Sequence, residues 1–277
     1  MFGDFCLDAY WLFDPDESEL SLETRLPVRR VRTQRYSLGG ASNVADNLIA
    51  VGVAEVHAVG LIGDDMFGRL LREMLAARGV DTSALLQCQE DWQTMVFAKP
   101  HVRDEEQNRI DFGGFNALRL ETMDALAAAL ERAADASTTV ILNQQVPAGV
   151  SPDAMIERLN RIIAAHPERC FVVDSRHRAE LYRGAVLKLN EREAARICGE
   201  PSALDERARN MFRAVSTLRA KAGSAVRCCY FGDSWWNWPP IIGNHWFASS
   251  DWQTGTTRLY EAAAVVEGKL MRSRAEQ

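Results

Sequence analysis

The chain lacks cysteines and histidines at metal-binding spacing. Its six cysteines (Cys6, Cys88, Cys170, Cys198, Cys228, Cys229) include no Cys-x-x-Cys pair, and its five histidines form no pair at helical spacing. A zinc or disulfide framework is therefore not expected, and no residue is assigned as a direct metal ligand. No apolar run reaches the roughly 18 residues of a membrane span. Asp4 and Asp8 stand where a signal peptide would carry a basic region and an apolar core. Basic charge is also in deficit: 32 Lys and Arg against 38 Asp and Glu, a net charge of −6. With no basic stripe interleaved with aromatics, nucleic acid and anionic membrane are not expected partners. The cluster Arg29, Arg30, Arg32 and Arg35 reads as a solvated strand face. Together these absences point to a soluble, cytoplasmic protein.

What is present is the composition of a globular domain, with 47% hydrophobic and 25% charged residues in 277. That length suits one large α/β domain, alone or with a small appendage. Short apolar runs alternate with amphipathic segments. Strands are expected at Val56–Gly63, Thr138–Asn143, Phe171–Asp174 and Ala185–Asn190. Helices are expected at Met66–Arg78, Glu121–Ala136, after Ser151-Pro152, and at Arg192–Cys198 and Asp205–Ala222. Such alternation implies a parallel sheet covered on both faces. The segment 9–38 and a hairpin over 93–112, turning at Arg103–Gln107, fall outside that scheme. They are polar and strand-like, and are expected to form a small sheet over the mouth of the main one.

In open α/β sheets the ligand lies at the carboxyl ends of the strands. This directs attention to Asp4, Asp8, Asp64, Asp65, Asn143 to Gln145, Asp174 and Asn190 to Glu193. The junction Ser37-Leu-Gly39-Gly40-Ala-Ser-Asn43 combines two glycines with a new helix, whose first-turn N–H groups are free for a polyhydroxylated or anionic molecule. Taken alone, the same residues also describe an ordinary tight turn.

Several elements in order resemble the ribokinase-like (PfkB) sugar kinases: Gly3-Asp4-Phe-Cys-Leu-Asp8, Gly39-Gly40-Ala-Ser-Asn43, Gly60-Leu-Ile-Gly63-Asp64-Asp65-Met-Phe-Gly68, Gly79-Val-Asp81-Thr82 and Lys188-Leu-Asn190-Glu-Arg-Glu193. The continuation Asp8-Ala-Tyr-Trp11 is similar to the branch that phosphorylates heptose phosphate for ADP-heptose synthesis. The resemblance implies an α/β/α sandwich with a mainly parallel sheet and a small β lid, and a reaction that uses ATP and Mg²⁺. It also implies a sugar or sugar-phosphate substrate and a homodimer through the lid. Asp8, Asn43 and the Gly39–Gly40 backbone would hold sugar hydroxyls, and Gln145 stands where relatives carry a substrate-contacting carboxylate. Asn190 and Glu193 would position nucleotide phosphates and Mg²⁺ through water. Lys99 and Arg109 are read first as surface charges, with a substrate phosphate as the second reading.

The chain departs from this pattern towards its end. The Gly-Ala-Gly-Asp element that supplies the family's anion hole and general base occurs nowhere in the 277 residues, so no catalytic residue is assigned. Resemblance stops near Val226. Five of the seven tryptophans fall between Trp235 and Trp252, where neither helical nor strand period holds. Residues 227–277 therefore read as a divergent or frame-shifted tail after a kinase domain of 1–226. Met1 lies two residues before Gly3-Asp4, so the first strand is expected to be missing and the fold incomplete at both ends. A dehydrogenase is disfavoured, because Gly60-x-x-Gly63 lacks the Gly-x-Gly-x-x-Gly spacing.

Overall fold

The computed structural model describes residues 1–14, 19–88, 90–189, Glu193, Arg196 and the backbone of Cys228–Tyr230. Its strands are β1 (Phe2–Gly3), β2 (Phe5–Phe13), β3 (Val31–Gly39), β4 (Gly60–Gly63), β5 (Leu85–Cys88), β6 (Met95–Val102), β7 (Glu105–Glu106), β8 (Ile110–Phe112), β9 (Thr139–Gln144), β10 (Cys170–Ser175), β11 (Val186–Leu189) and β12 (Cys228–Tyr230). The helices are α1 (Gly40–Ala50), α2 (Met66–Ala77), α3 (Leu120–Ala136) and α4 (Asp153–Ala165).

The main sheet runs β1-β9-β10-β11-β12, and each neighbouring pair is parallel. Alternating side chains on β9 bury both of its faces. Val140 and Leu142 join the cluster formed by Leu126 and Leu130 of α3 and Met155, Leu159 and Ile163 of α4. Ile141 turns the other way, onto Val44 of α1. Helices therefore cover both sides of the sheet, as its nearly continuous apolar strands require. Each of these buried large aliphatic side chains contributes roughly 1.5–3 kcal/mol through burial.

The second sheet runs β3-β2-β6-β7, with β8 also paired to β6. Strands β2 and β6 are parallel, whereas β2–β3 and β6–β8 are antiparallel. Its two faces differ in character. Leu7, Ala9, Leu38, Val96 and Ala98 pack with Ala41 and Ala45 of α1 and Leu71 and Leu75 of α2. The alternate positions on β2, from Cys6 through Asp8 to Tyr10, pair with Met95, Phe97 and Lys99 and form the opposite face. A shift of one residue would exchange the two faces, so burial of the apolar set fixes where Asp8 and Lys99 point.

The helices after Leu189 that the sequence suggests, and most of the tail, lie outside the described residues. Several expectations are corrected. The first strand is present but only two residues long: Phe2 and Gly3 pair with Leu142 and Asn143 of β9, so β1 forms the end of the main sheet beside β9. The strand expected at Val56–Gly63 is reduced to Gly60–Gly63. Residues 56–58 instead exchange backbone hydrogen bonds with Asp81, as Ala58 N–H donates to Asp81 O and Asp81 N–H donates to Val56 O. Strand β5, with only four residues and no marked alternation, was not anticipated. The backbone of Cys228–Tyr230 extends the sheet beyond Val226 by pairing with Leu187–Leu189.

Candidate functional site

Strand β1 ends at Gly3, and the chain crosses through Asp4 into β2, so the main sheet and the lid share one continuous segment. Asp4 is wholly buried and serves three neighbours at once. Its carboxylate accepts hydrogen bonds from the backbone N–H groups of Gln145 (2.7 Å), Val146 (3.0 Å) and Val150 (2.8 Å). Its carbonyl accepts from Ala41 N–H at 2.9 Å, which holds the start of α1. Its own N–H donates to Asn143 O at 3.1 Å. Burial pushes its carboxyl upward against the opposing pull of the three amides. Gly149 lies so close that a Cβ there would sit 2.1 Å from Asp4 Oδ1. Asp4 thereby fixes the helix start at Gly40 and the loop that carries Gln145 relative to one another.

The glycine junction sits directly beside Asp8. Gly40 adopts φ +50°, and a Cβ on it would meet Asp4 O at 2.5 Å, so a side chain is excluded both by conformation and by space. A Cβ on Gly39 would lie 3.3 Å from Asp8 Oδ2, which places bare backbone against that carboxylate. Helix α1 has no side-chain N-cap and no acidic residue in its first turn. Half-buried Asn43 lies in this first turn, where the Ala41 N–H is already taken by Asp4 O and the other N–H groups suit oxygen-rich ligands.

Asp8 is not alone on its strand. Lys99 Nζ lies 2.9 Å from Asp8 Oδ1, both side chains being only partly exposed, and also sits over the Tyr10 ring at 5.1 Å. Burial works against the Lys99 ammonium, but the hydrogen bond and charge of Asp8 hold it above its usual range. Lys99, read first as a surface charge, is partly exposed and paired with the candidate residue Asp8. The reason is register, since Asp8 opposes Phe97 and Tyr10 opposes Lys99 on the polar face of β2 and β6. Arg109 is forked onto Asp111 at 2.7 Å and stacks over Phe97 at 4.8 Å. It lies on the same face but carries its own counter-charge.

Residues 8–225 match the pfkB family carbohydrate kinases. The chain belongs to that family. Among its relatives, the D-beta-D-heptose 7-phosphate kinase of Bordetella bronchiseptica is 31% identical over 188 residues, covering 67% of this chain and 56% of that protein. The bifunctional protein HldE of Gluconobacter oxydans is 31% identical over 229 residues, covering 81% of this chain and 46% of that protein. The chain thus spans about half the length of these two relatives. Among solved structures, ribokinase from Giardia lamblia superimposes with a TM-score of 0.61 at 18% identity, over 84% of this chain and 73% of that one. Phosphofructokinase-2 from Escherichia coli in complex with fructose-6-phosphate gives a TM-score of 0.61 at 16% identity, over 93% and 82% of the two chains. The fold is ribokinase-like, an α/β/α arrangement with a mainly parallel sheet and a small β lid.

In this PfkB chain the residues singled out from the sequence divide into three groups. Gly39 lies against Asp8, Gly40 against Asp4 and Cys6, and Asn43 is in the first turn of α1 that follows. Gln145 is half-buried at the start of the loop after β9, tied by its N–H to Asp4. Asn190 lies outside the described residues, whereas Glu193 is buried four positions past the end of β11. Asp65 and Asp174 have structural partners. Asp65 caps α2 by accepting from Gly68 N–H and also accepts from Thr94 N–H, each at 2.8 Å, and Asp174 pairs with Lys188 at 3.2 Å. Asp4 was flagged only as a strand-end residue. Its signal was available in retrospect: an acidic residue between glycine and phenylalanine in an otherwise apolar run is one that burial must compensate. No helix among the described residues is long and apolar enough to cross a membrane.

Proposed function

We propose that the Asp8–Gly39–Gly40–Asn43 site binds a sugar phosphate of the heptose-phosphate kind, and that its chemistry is ATP-dependent phosphorylation of a sugar hydroxyl. The observation that carries this reading is the side-chain-free backbone of Gly39 set against the Asp8 carboxylate, at the start of a helix with no side-chain cap. A carboxylate accepts hydrogen bonds from hydroxyls strongly, and helix N–H groups complement oxygen acceptors. Gln145 would add an amide that both donates and accepts. The relative named as a D-beta-D-heptose 7-phosphate kinase supports the substrate class.

For the nucleotide, Asn190 and Glu193 are the residues that would face phosphates and Mg²⁺. A buried carboxylate beyond the carboxyl end of β11 suits the oxygen-rich, partly hydrated surroundings that Mg²⁺ requires. Mg-ATP would supply the transferred phosphoryl group. The described residues would hold the acceptor sugar and exclude water beneath the lid.

A second reading rests on one sequence observation. Gly-Ala-Gly-Asp, the element that supplies the family's anion hole and general base, does not occur in the 277 residues. The chain would then bind sugar phosphate without transferring phosphate to it. Calorimetric titration with D-beta-D-heptose 7-phosphate and a coupled ADP-release assay separate the two readings. Binding abolished by Asp8→Asn is expected under both, while sugar-dependent ADP release above a no-sugar control supports only the first. Absence of binding, or binding indifferent to Asp8→Asn, overturns both.

A further inference from the structure

We propose that Arg176 is a phosphate-binding residue of this site. The assignment rests on the sugar-site reading above and adds the residue that recognises an anionic group there.

Three chain segments leave the main sheet side by side at its carboxyl edge. Gly3 lies opposite Asn143 and leads to Asp4, Gln144 leads to Gln145, and Ser175 leads to Arg176. Gln144 and Ser175 are register partners, and Arg176 N–H donates to Gln144 O at 3.0 Å. Neighbouring strands are about 4.8 Å apart, so Gln145 and Arg176 emerge as adjacent residues. The Arg176 charge is felt at the Cys6 thiol, where burial is the main influence and Asp8, Asp4 and Lys99 also act.

Other cations of the lid face and of the strand ends are committed to carboxylates: Lys99 to Asp8, Arg109 to Asp111, Arg178 to Asp153, Lys188 to Asp174 and Arg196 to Glu180. Arg176 is exposed and has no carboxylate partner among the described residues. At the next residue, desolvation first, and then Arg176, Arg196 and Arg178, hold the His177 imidazole below the usual range. A guanidinium offers a planar fork of donors matched to phosphate oxygens. The phosphate has two sources, the sugar substrate and the nucleotide.

Isothermal titration of the full chain with three probes distinguishes them: D-beta-D-heptose 7-phosphate, the unphosphorylated heptose, and ADP with Mg²⁺. Loss of a charge-assisted contact should weaken the affected probe by about tenfold or more in Arg176→Ala, with partial recovery in Arg176→Lys. Weakened heptose 7-phosphate with unchanged heptose assigns Arg176 to the substrate phosphate. Weakened ADP with unchanged heptose 7-phosphate assigns it to the nucleotide phosphates. If all three affinities stay within twofold while Asp8→Asn abolishes heptose 7-phosphate binding, the Arg176 assignment is wrong and the sugar site stands. If the wild-type chain binds neither heptose compound, the sugar-site reading fails and this one fails with it.

Discussion

Replacing Asp4 tests whether one buried carboxylate holds the site together. Asp4→Ala removes the acceptor from three amides. The bond to Val150 is buried, while those to Gln145 and Val146 are part-buried. An unpartnered buried donor costs about 1–3 kcal/mol, and losing a hydrogen bond whose donor water can reach costs about 1 kcal/mol. The gross loss is then about 3–5 kcal/mol, lessened because a buried charge no longer needs desolvating. A net loss of about 2–4 kcal/mol is expected from urea unfolding followed by tryptophan fluorescence. Asp4→Asn keeps an oxygen for two of the three donors and carries no charge, so it should lose less, about 1–2 kcal/mol. The upward-shifted carboxyl adds a sign. The native state binds the Asp4 proton more tightly than the unfolded chain, so this group's contribution falls as pH rises from 3.8 through the folded value. Asp4→Asn should lack that component. Stability of Asp4→Ala within 1 kcal/mol of wild type, or Asp4→Asn as damaging as Asp4→Ala, would refute the reasoning.

Other expectations follow from the same contacts. Gly149→Ala drives a methyl to within 2.1 Å of Asp4 Oδ1 unless the loop moves, so it should cost about 1–3 kcal/mol and weaken sugar-phosphate binding; an unchanged melting temperature would count against the close packing. Lys99→Met removes the ammonium 2.9 Å from Asp8 and should cost about 1 kcal/mol of stability, while heptose 7-phosphate affinity falls more steeply than that of ADP; equal effects on both ligands would argue against a role at the sugar. His166 bonds Ile162 O through Nδ1 at 2.9 Å and Asp135 through Nε2 at 3.1 Å, an arrangement that favours imidazolium, and its pKa is raised by the Ile162 bond against burial and by Asp135. Its contribution is complete below 6.5 and is lost as pH rises through the folded value. The stability gap between wild type and His166→Gln should therefore shrink from pH 5.5 to pH 8.5, and a widening gap would reverse the assignment. Leu126→Ala, at 0% exposure between α3 and the sheet, should cost about 2–5 kcal/mol.

Much of the fold was legible because burial writes itself into periodicity. The helical face of Leu126 and Leu130 and the apolar run of β9 are each patterns with a single low-energy solution. Strand β5 escaped because Leu-Leu-Gln-Cys is too short to show alternation, and its pairing with β4 is set by tertiary context. At the site, glycines and Asp8 were legible as motifs, but Lys99 was not. Its role depends on which of two strands it opposes, and register across 91 positions of sequence (from Asp8 to Lys99) is written in neither strand alone. Asp4 was hidden for a related reason, since its three donors come from residues 145 to 150.

Strand β2 belongs to the lid, yet it begins one residue after Asp4 and carries Asp8 within its first half. The lid and the proposed sugar grip are thus one mechanical part. Any exchange of lids between relatives has to carry residues 5–13 with it, and a graft joined after Asp8 would mate a foreign lid with a native carboxylate whose Lys99 partner had been replaced. Lid shape and sugar preference should accordingly be inherited as a block, with the crossover point set by the Asp4 anchor and not by the visible edge of the lid.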